Sequence, residues 1–139
     1  MDILNEAMSK PLGELAETKE LPDGVYVIRV EKYEGAVNVN GKPYVTLRCA
    51  PVAVEEVEGL TQEELEMGDW WPVRGQMYIS DAAAEITQKQ LEQVLGAEGE
   101  NFAEQFENAL GQEARVVIGR NDRGYLEIKK WLRPKKDVQ

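Results

Sequence analysis

Residues 114–131, ARVVIGRNDRGYLEIKKW, constrain this chain more than any other stretch. They form two strand-like runs joined by Asn121-Asp122-Arg123-Gly124, whose Gly and Asn/Asp supply the positive-φ corner that a short hairpin needs. In the first run Ala114, Val116 and Ile118 share one face, and Arg115, Val117 and Gly119 the other. In the second, Leu126 and Ile128 face one way and Tyr125, Glu127, Lys129 and Trp131 the other. One side closes a core; the opposite side shows aromatic and basic groups. A hairpin is not stable alone, so the rest of the chain must complete a sheet around it.

Residues 1–20 read as an N-terminal arm in which Ile3, Leu4, Ala7 and Met8 have the spacing of a short amphipathic helix that Pro11 would end. From Gly24 the period changes to two, and Tyr26, Ile28 and Val30 alternate with Val25 and Val27 in a first strand covered on both faces. Asn40-Gly41 is a turn signal. A second strand follows over residues 44–54, with Val45, Leu47 and Cys49 opposed to Tyr44, Thr46 and Arg48; Pro51 requires a bend, a bulge or an edge. The acidic stretch 55–69 reads as a solvated loop, with Thr61 and Glu64 forming a capping box for a turn or two of helix. A third strand is expected over 70–79, with Pro72 marking an edge or the strand start, placing Trp71 in the core with Val73, Gly75 and Met77 and leaving Trp70 undecided. Two helical segments follow, one capped by Thr87 and stopped by Gly96, the other capped by Asn101 and stopped by Gly111.

Three strands, a helical segment and two strands give a mainly β fold. The expectation is a five-stranded OB-like antiparallel barrel over residues 21–133, with the helical segment between strands three and four and a basic tail at 134–139. A five-stranded sheet packed on helices fits almost as well.

Composition narrows the chemistry. The chain has no His, so no His ligand, His-based triad or imidazole proton shuttle can be built. The single Cys49 excludes an internal disulfide. No GxxxxGK[ST], GxGxxG or calcium-loop motif occurs. The expectation is a non-enzymatic protein without cofactor or metal. With no apolar run of membrane-span length and no signal-like start, it is expected in the cytoplasm and off the membrane. Net charge is −10, yet residues 115–139 hold eight Lys/Arg against Asp122, Glu127 and Asp137. The C-terminal strands are the cationic part of an anionic protein.

On the barrel reading, the outer faces of strands two, three and five carry Tyr44, Arg48, Arg74, Tyr78, Tyr125, Lys129 and Trp131. Arg115, Arg120 and Arg123 extend that path around the fourth strand and the hairpin tip, and Arg133 stands with Lys130, Lys135 and Lys136 at its end. Aromatic rings stack on any base while cations meet phosphates, so the mixture points to single-stranded DNA. Against it, aromatics at alternate strand positions are more often packing residues than base platforms, and a cationic end is usually a solvated tail. Trp131 is the stronger ring candidate because Lys129, Lys130 and Arg133 surround it. Paired carboxylates for hydrolysis would need burial or a metal, which a polar acidic loop does not offer.

The segment Leu21-Pro22-Asp23-Gly24-Val25-Tyr26 with its Val/Ile run, the long second strand, and Leu110-Gly111 through Ile118-Gly119-Arg120 with the hairpin resemble small phage-encoded, DUF669-like single-stranded DNA-binding proteins. The resemblance covers roughly residues 21–133 and is a pattern of strands and turns. It implies a barrel that protects or presents single-stranded DNA in phage replication or recombination, in host cytoplasm, alone or as a homo-oligomer, and that contacts replication or recombination proteins. Many such proteins carry an acidic C-terminal tail, whereas this chain ends in Arg133-Pro134-Lys135-Lys136-Asp137-Val138-Gln139. Recruitment is then expected of the acidic stretch 55–69 or the N-terminal arm. The alternative is an acidic interaction module, an inhibitor of a host enzyme or an accessory or structural subunit, that binds no DNA.

Overall fold

Two hairpins with the same corner frame the structure. In each, an Asn side chain caps its own turn and a Gly three residues on takes the left-handed conformation. The Asn38 Oδ1 accepts from the Asn40 and Lys42 amides and Gly41 has φ 78°; the Asn121 Oδ1 accepts from the Arg123 and Tyr125 amides and Gly124 has φ 83°. A computed structural model describes residues 18–134. The helix expected around Ile3 to Met8 and the basic residues from Lys135 onward lie outside the described residues.

The first hairpin joins β1 (Gly24–Val37) to β2 (Pro43–Val57). After α1 (Gln62–Met67) come β3 (Val73–Tyr78), α2 (Ala84–Gln93) and α3 (Phe102–Ala109); the second hairpin joins β4 (Glu113–Arg120) to β5 (Leu126–Leu132). The strands close into a barrel in the order β1-β2-β3-β5-β4, with the helical segment between β3 and β4 as expected of an OB-like barrel. Closure runs through a parallel contact, Arg74 opposite Glu127, whereas the other ladders are antiparallel. Tyr26, Ile28, Val30, Leu47, Val73, Met77, Val116 and Ile118 fill the interior, and Leu91, Leu95 and Phe106 from α2 and α3 join the same core.

Bulges set which side chains point out. On β1 the pairing steps from Val30/Cys49 to Lys32/Arg48, so Glu31 is unpaired and the alternation reverses. Lys32, Glu34 and Ala36 then lie on the outer face. Tyr33 turns to the inner side, where its ring meets Phe106 at 5.9 Å and its hydroxyl donates to Glu107 at 2.7 Å. On β2 the extra residues are Val52, beside Pro51, and Glu55. The Gln62 side chain of α1 satisfies this part of β2, accepting from the Val54 amide at 2.9 Å and donating to the Val52 carbonyl at 3.1 Å. On β5 the pairing steps from Val117/Lys130 to Ile118/Ile128, leaving Lys129 unpaired.

Four expectations are corrected. The third strand starts at Val73 rather than residue 70, because Pro72 cannot continue the ladder. The preceding residues instead pair in parallel with Lys19, whose amide donates to the Asp69 carbonyl at 3.0 Å and whose carbonyl accepts from the Trp71 amide at 2.9 Å. In consequence Trp71 is 55% exposed rather than in the core, and Trp70 packs over Gly68 and donates its indole N–H to the Leu65 carbonyl at 2.9 Å. Thr87 does not cap α2: it is buried inside the helix, and its hydroxyl donates to the Tyr78 carbonyl, tying α2 to the end of β3. Glu55 is not in a solvated loop but is a half-buried residue of β2. The boxes at Thr61 and Asn101 do form their caps, although Glu104 reaches back to the Glu100 amide rather than to that of Asn101.

Candidate functional site

The outer face of the first three strands is arranged in rows, because residues opposite one another in a ladder project to the same side. One row is Lys32, Arg48 and Arg74, in direct register across β1, β2 and β3. The next is Glu34, Thr46 and Gln76, and the third is Ala36, Tyr44 and Tyr78. The Tyr44 and Tyr78 rings are 5.5 Å apart and tilted by 43°. An open groove of about 430 Å³ runs over the cationic row, lined by Lys32, Tyr33, Glu34, Thr46, Arg48 and Arg74.

The cationic row ends against Glu127, which stands opposite Arg74 in the closing ladder and pairs with Lys129 at 3.0 Å. Lys32, Arg48 and Arg74 are exposed, and among the described residues none of them forms an ion pair. Like charges directly opposite in a ladder cost stability. Elsewhere Arg29 meets Glu113 at 3.2 Å and Lys89 meets Glu85 at 3.0 Å, whereas Arg123, Lys130 and Arg133 form no ion pair among the described residues.

Arg74 also lines a second, smaller cleft of about 220 Å³ with Glu20, Trp71, Pro72, Tyr125 and Leu126. Trp71 and Tyr125, 66% exposed, present their rings there. The face therefore runs from the Tyr44 and Tyr78 pair near the first hairpin, across the cationic row, to the second hairpin.

Of the residues singled out from sequence, the structure brings together Tyr44, Arg48, Arg74, Tyr78 and Tyr125, with Arg123 exposed at the adjoining hairpin tip. Four others have different surroundings. Trp131 belongs to the inner side: the unpaired Lys129 shifts the alternation by one residue, so Trp131 pairs with buried Val116 and packs on the core with Ile128. Arg115 lies on β4, which neighbours β1 and β5 rather than β2 or β3. Its Nε donates to Glu55 at 2.8 Å and its Nη1 to the Arg133 carbonyl at 3.1 Å. Arg120 donates to Glu20 at 2.6 Å and to the Gly124 carbonyl at 3.1 Å, and the Glu20 hydrogen bond raises its guanidinium pKa further. Lys129 pairs with Glu127 at 3.0 Å. Arg133 follows β5, with its side chain exposed.

Lys32 and Trp71 are members of the face that sequence reasoning passed over. The register of Lys32 depends on the Glu31 bulge, which no local pattern announces. The alternation that assigns Trp71 to the core does not reach it, because the strand starts after Pro72, the second of the two positions that proline allows.

No family model matches the chain, and no curated protein matches it. No helix among the described residues is long and apolar enough to cross a membrane.

Proposed function

We propose that the protein binds single-stranded DNA without enzymatic action, across the outer face of β2 and β3. The observation that carries this reading is the row Lys32, Arg48 and Arg74, three cations in register beside the Tyr44 and Tyr78 rings and without an ion pair among the described residues. An anion laid along the row offsets the repulsion between like charges opposite one another in the ladder. A polynucleotide suits the pattern because its phosphates meet the cations while its bases stack on neighbouring rings, each worth about 1 to 3 kcal/mol. A duplex keeps its base faces stacked on one another, so the tyrosines favour a single strand. An acidic interaction module would present carboxylates here, and Glu34 is the one carboxylate lining the groove. The resemblance to phage single-strand binders supplies the setting, replication or recombination.

The test is fluorescence anisotropy with labelled single-stranded and duplex oligonucleotides at low and moderate salt. Preferential single-strand binding that weakens with salt, and weakens further in Arg48→Ala and Arg74→Ala, is expected. Absence of binding at low salt, or equal loss of affinity for an unrelated anionic protein surface, would remove this function.

A further inference from the structure

In the cleft at the second hairpin the acid is ion-paired to an arginine beside exposed rings. Trp71, Tyr125, Arg74, Pro72 and Leu126 line it together with Glu20. The Glu20 carboxylate is 2.6 Å from the Arg120 Nη1, and Asp23 stands 4.0 Å from the same guanidinium. Glu20 arrives on a short strap. On one side Lys19 is hydrogen bonded to Asp69 and Trp71; on the other Leu21 is fully buried, and the Tyr26 hydroxyl donates to the Pro22 carbonyl at 2.6 Å. The backbone at Glu20 is thus fastened at both ends, while its side chain is about half exposed and held by the Arg120 guanidinium.

A carboxylate hydrogen bonded to an arginine beside two exposed rings has the charge and donor requirements of a phosphate oxygen. At about 220 Å³ the cleft is below the roughly 300 Å³ at which enclosed ligand pockets begin, so it has room for one flat ring rather than a buried small molecule. We propose that Trp71, Tyr125, Arg74 and Arg120 form a second nucleotide subsite, one base against the exposed rings and one phosphate on the arginines, and that the Glu20 carboxylate holds the phosphate position in the unbound protein. This rests on the single-strand reading above. Binding there requires Glu20 to turn toward solvent, so the acid weakens occupancy and confines tight binding to the groove.

The experiment compares a labelled oligothymidylate on the full chain and on Glu20→Gln, with Arg120→Ala made in both backgrounds. Glu20→Gln should bind about fivefold tighter or more, and its log–log salt slope should steepen by about 0.7, one phosphate contact. Arg120→Ala should abolish the gain in Glu20→Gln. Trp71→Ala in the Glu20→Gln background should also remove the gain, together with part of the quenching of Trp emission. Thermal melts of each variant establish that the barrel is retained. If the unaltered chain binds and Glu20→Gln binds no tighter, the subsite is overturned and the groove stands. If neither protein binds single strands, both readings fall.

Discussion

The Trp131 ring lies over Gly75: a Cβ on Gly75 would come 2.9 Å from the indole Cζ2 and 3.0 Å from the Ile128 Cδ1. Gly75 is therefore the gap in β3 that admits the largest side chain of β5 where those two strands close the barrel. Its φ is not in the left-handed region, so the requirement is for space rather than for backbone freedom. Gly75→Ala should destabilise the protein by about 1 to 3 kcal/mol through overpacking. Trp131→Leu in the same chain should recover part of that loss, a coupling that urea unfolding of the double-mutant cycle measures.

Arg48 and Arg74 face each other across β2 and β3 without an acid between them. Replacing either by Ala should leave the melting temperature unchanged or slightly raised, because a like-charge contact is removed. Each replacement should lower single-strand affinity and flatten the log–log salt slope by about 0.7. Calorimetric melts and salt titrations on the same samples separate the two effects.

Arg115 should behave in the opposite way. It and Glu55 are both largely buried, with side-chain exposures of 24% and 16%, and its guanidinium also donates to the Arg133 carbonyl. Arg115→Ala removes the paired hydrogen bonds to Glu55 and the bond to the Arg133 carbonyl and should cost about 1 to 3 kcal/mol. Its effect on single-strand affinity should be within about twofold, since screened charge remote from the groove contributes little. A strong loss of affinity with unchanged stability would move the binding face to β4.

Alkaline pH should unfold the protein earlier than its exposed groups suggest. Burial pushes the Cys49 thiol from 9.0 up to about 12, with the Glu31 charge adding, and burial followed by the Asp23 charge pushes Tyr26 from 10.0 up to about 12. Both groups hold their protons more tightly in the folded state. Their contribution is complete below the unfolded values and is lost as pH rises toward 12. Stability from urea titrations should therefore start to fall near pH 9.0 and fall more steeply past 10.0. Cys49→Ala is expected to be less stable at neutral pH but to hold its own plateau until about the Tyr26 range, which isolates the thiol.

Features set by neighbours along the chain were legible without a structure. The two Asn-to-Gly corners, the caps at Thr61 and Asn101 and the helix stops at Gly96 and Gly111 involve partners within a few residues, and each formed where residue type required it. The alternation of Val45, Leu47 and Cys49, or of Ala114, Val116 and Ile118, likewise named their inward faces. The misread cap at Thr87 shows the limit: instead of accepting from an amide of its own helix, its hydroxyl donates to the Tyr78 carbonyl, nine residues away on another element.

The amino-acid sequence by itself determined that there would be five strands, their order, the helical segment between the third and fourth, and the Tyr and Arg residues on the outer face of β2 and β3. Tertiary structure alone decided which cations are free. Glu55 reaches Arg115 across 60 residues and Glu20 reaches Arg120 across 100, and neither pairing leaves a trace in local spacing. It also decided the fate of Trp131 and Lys32, because one unpaired residue in a ladder sends every later side chain to the opposite face. Whether a residue is unpaired is a property of the pairing between two strands and not of either strand's own alternation.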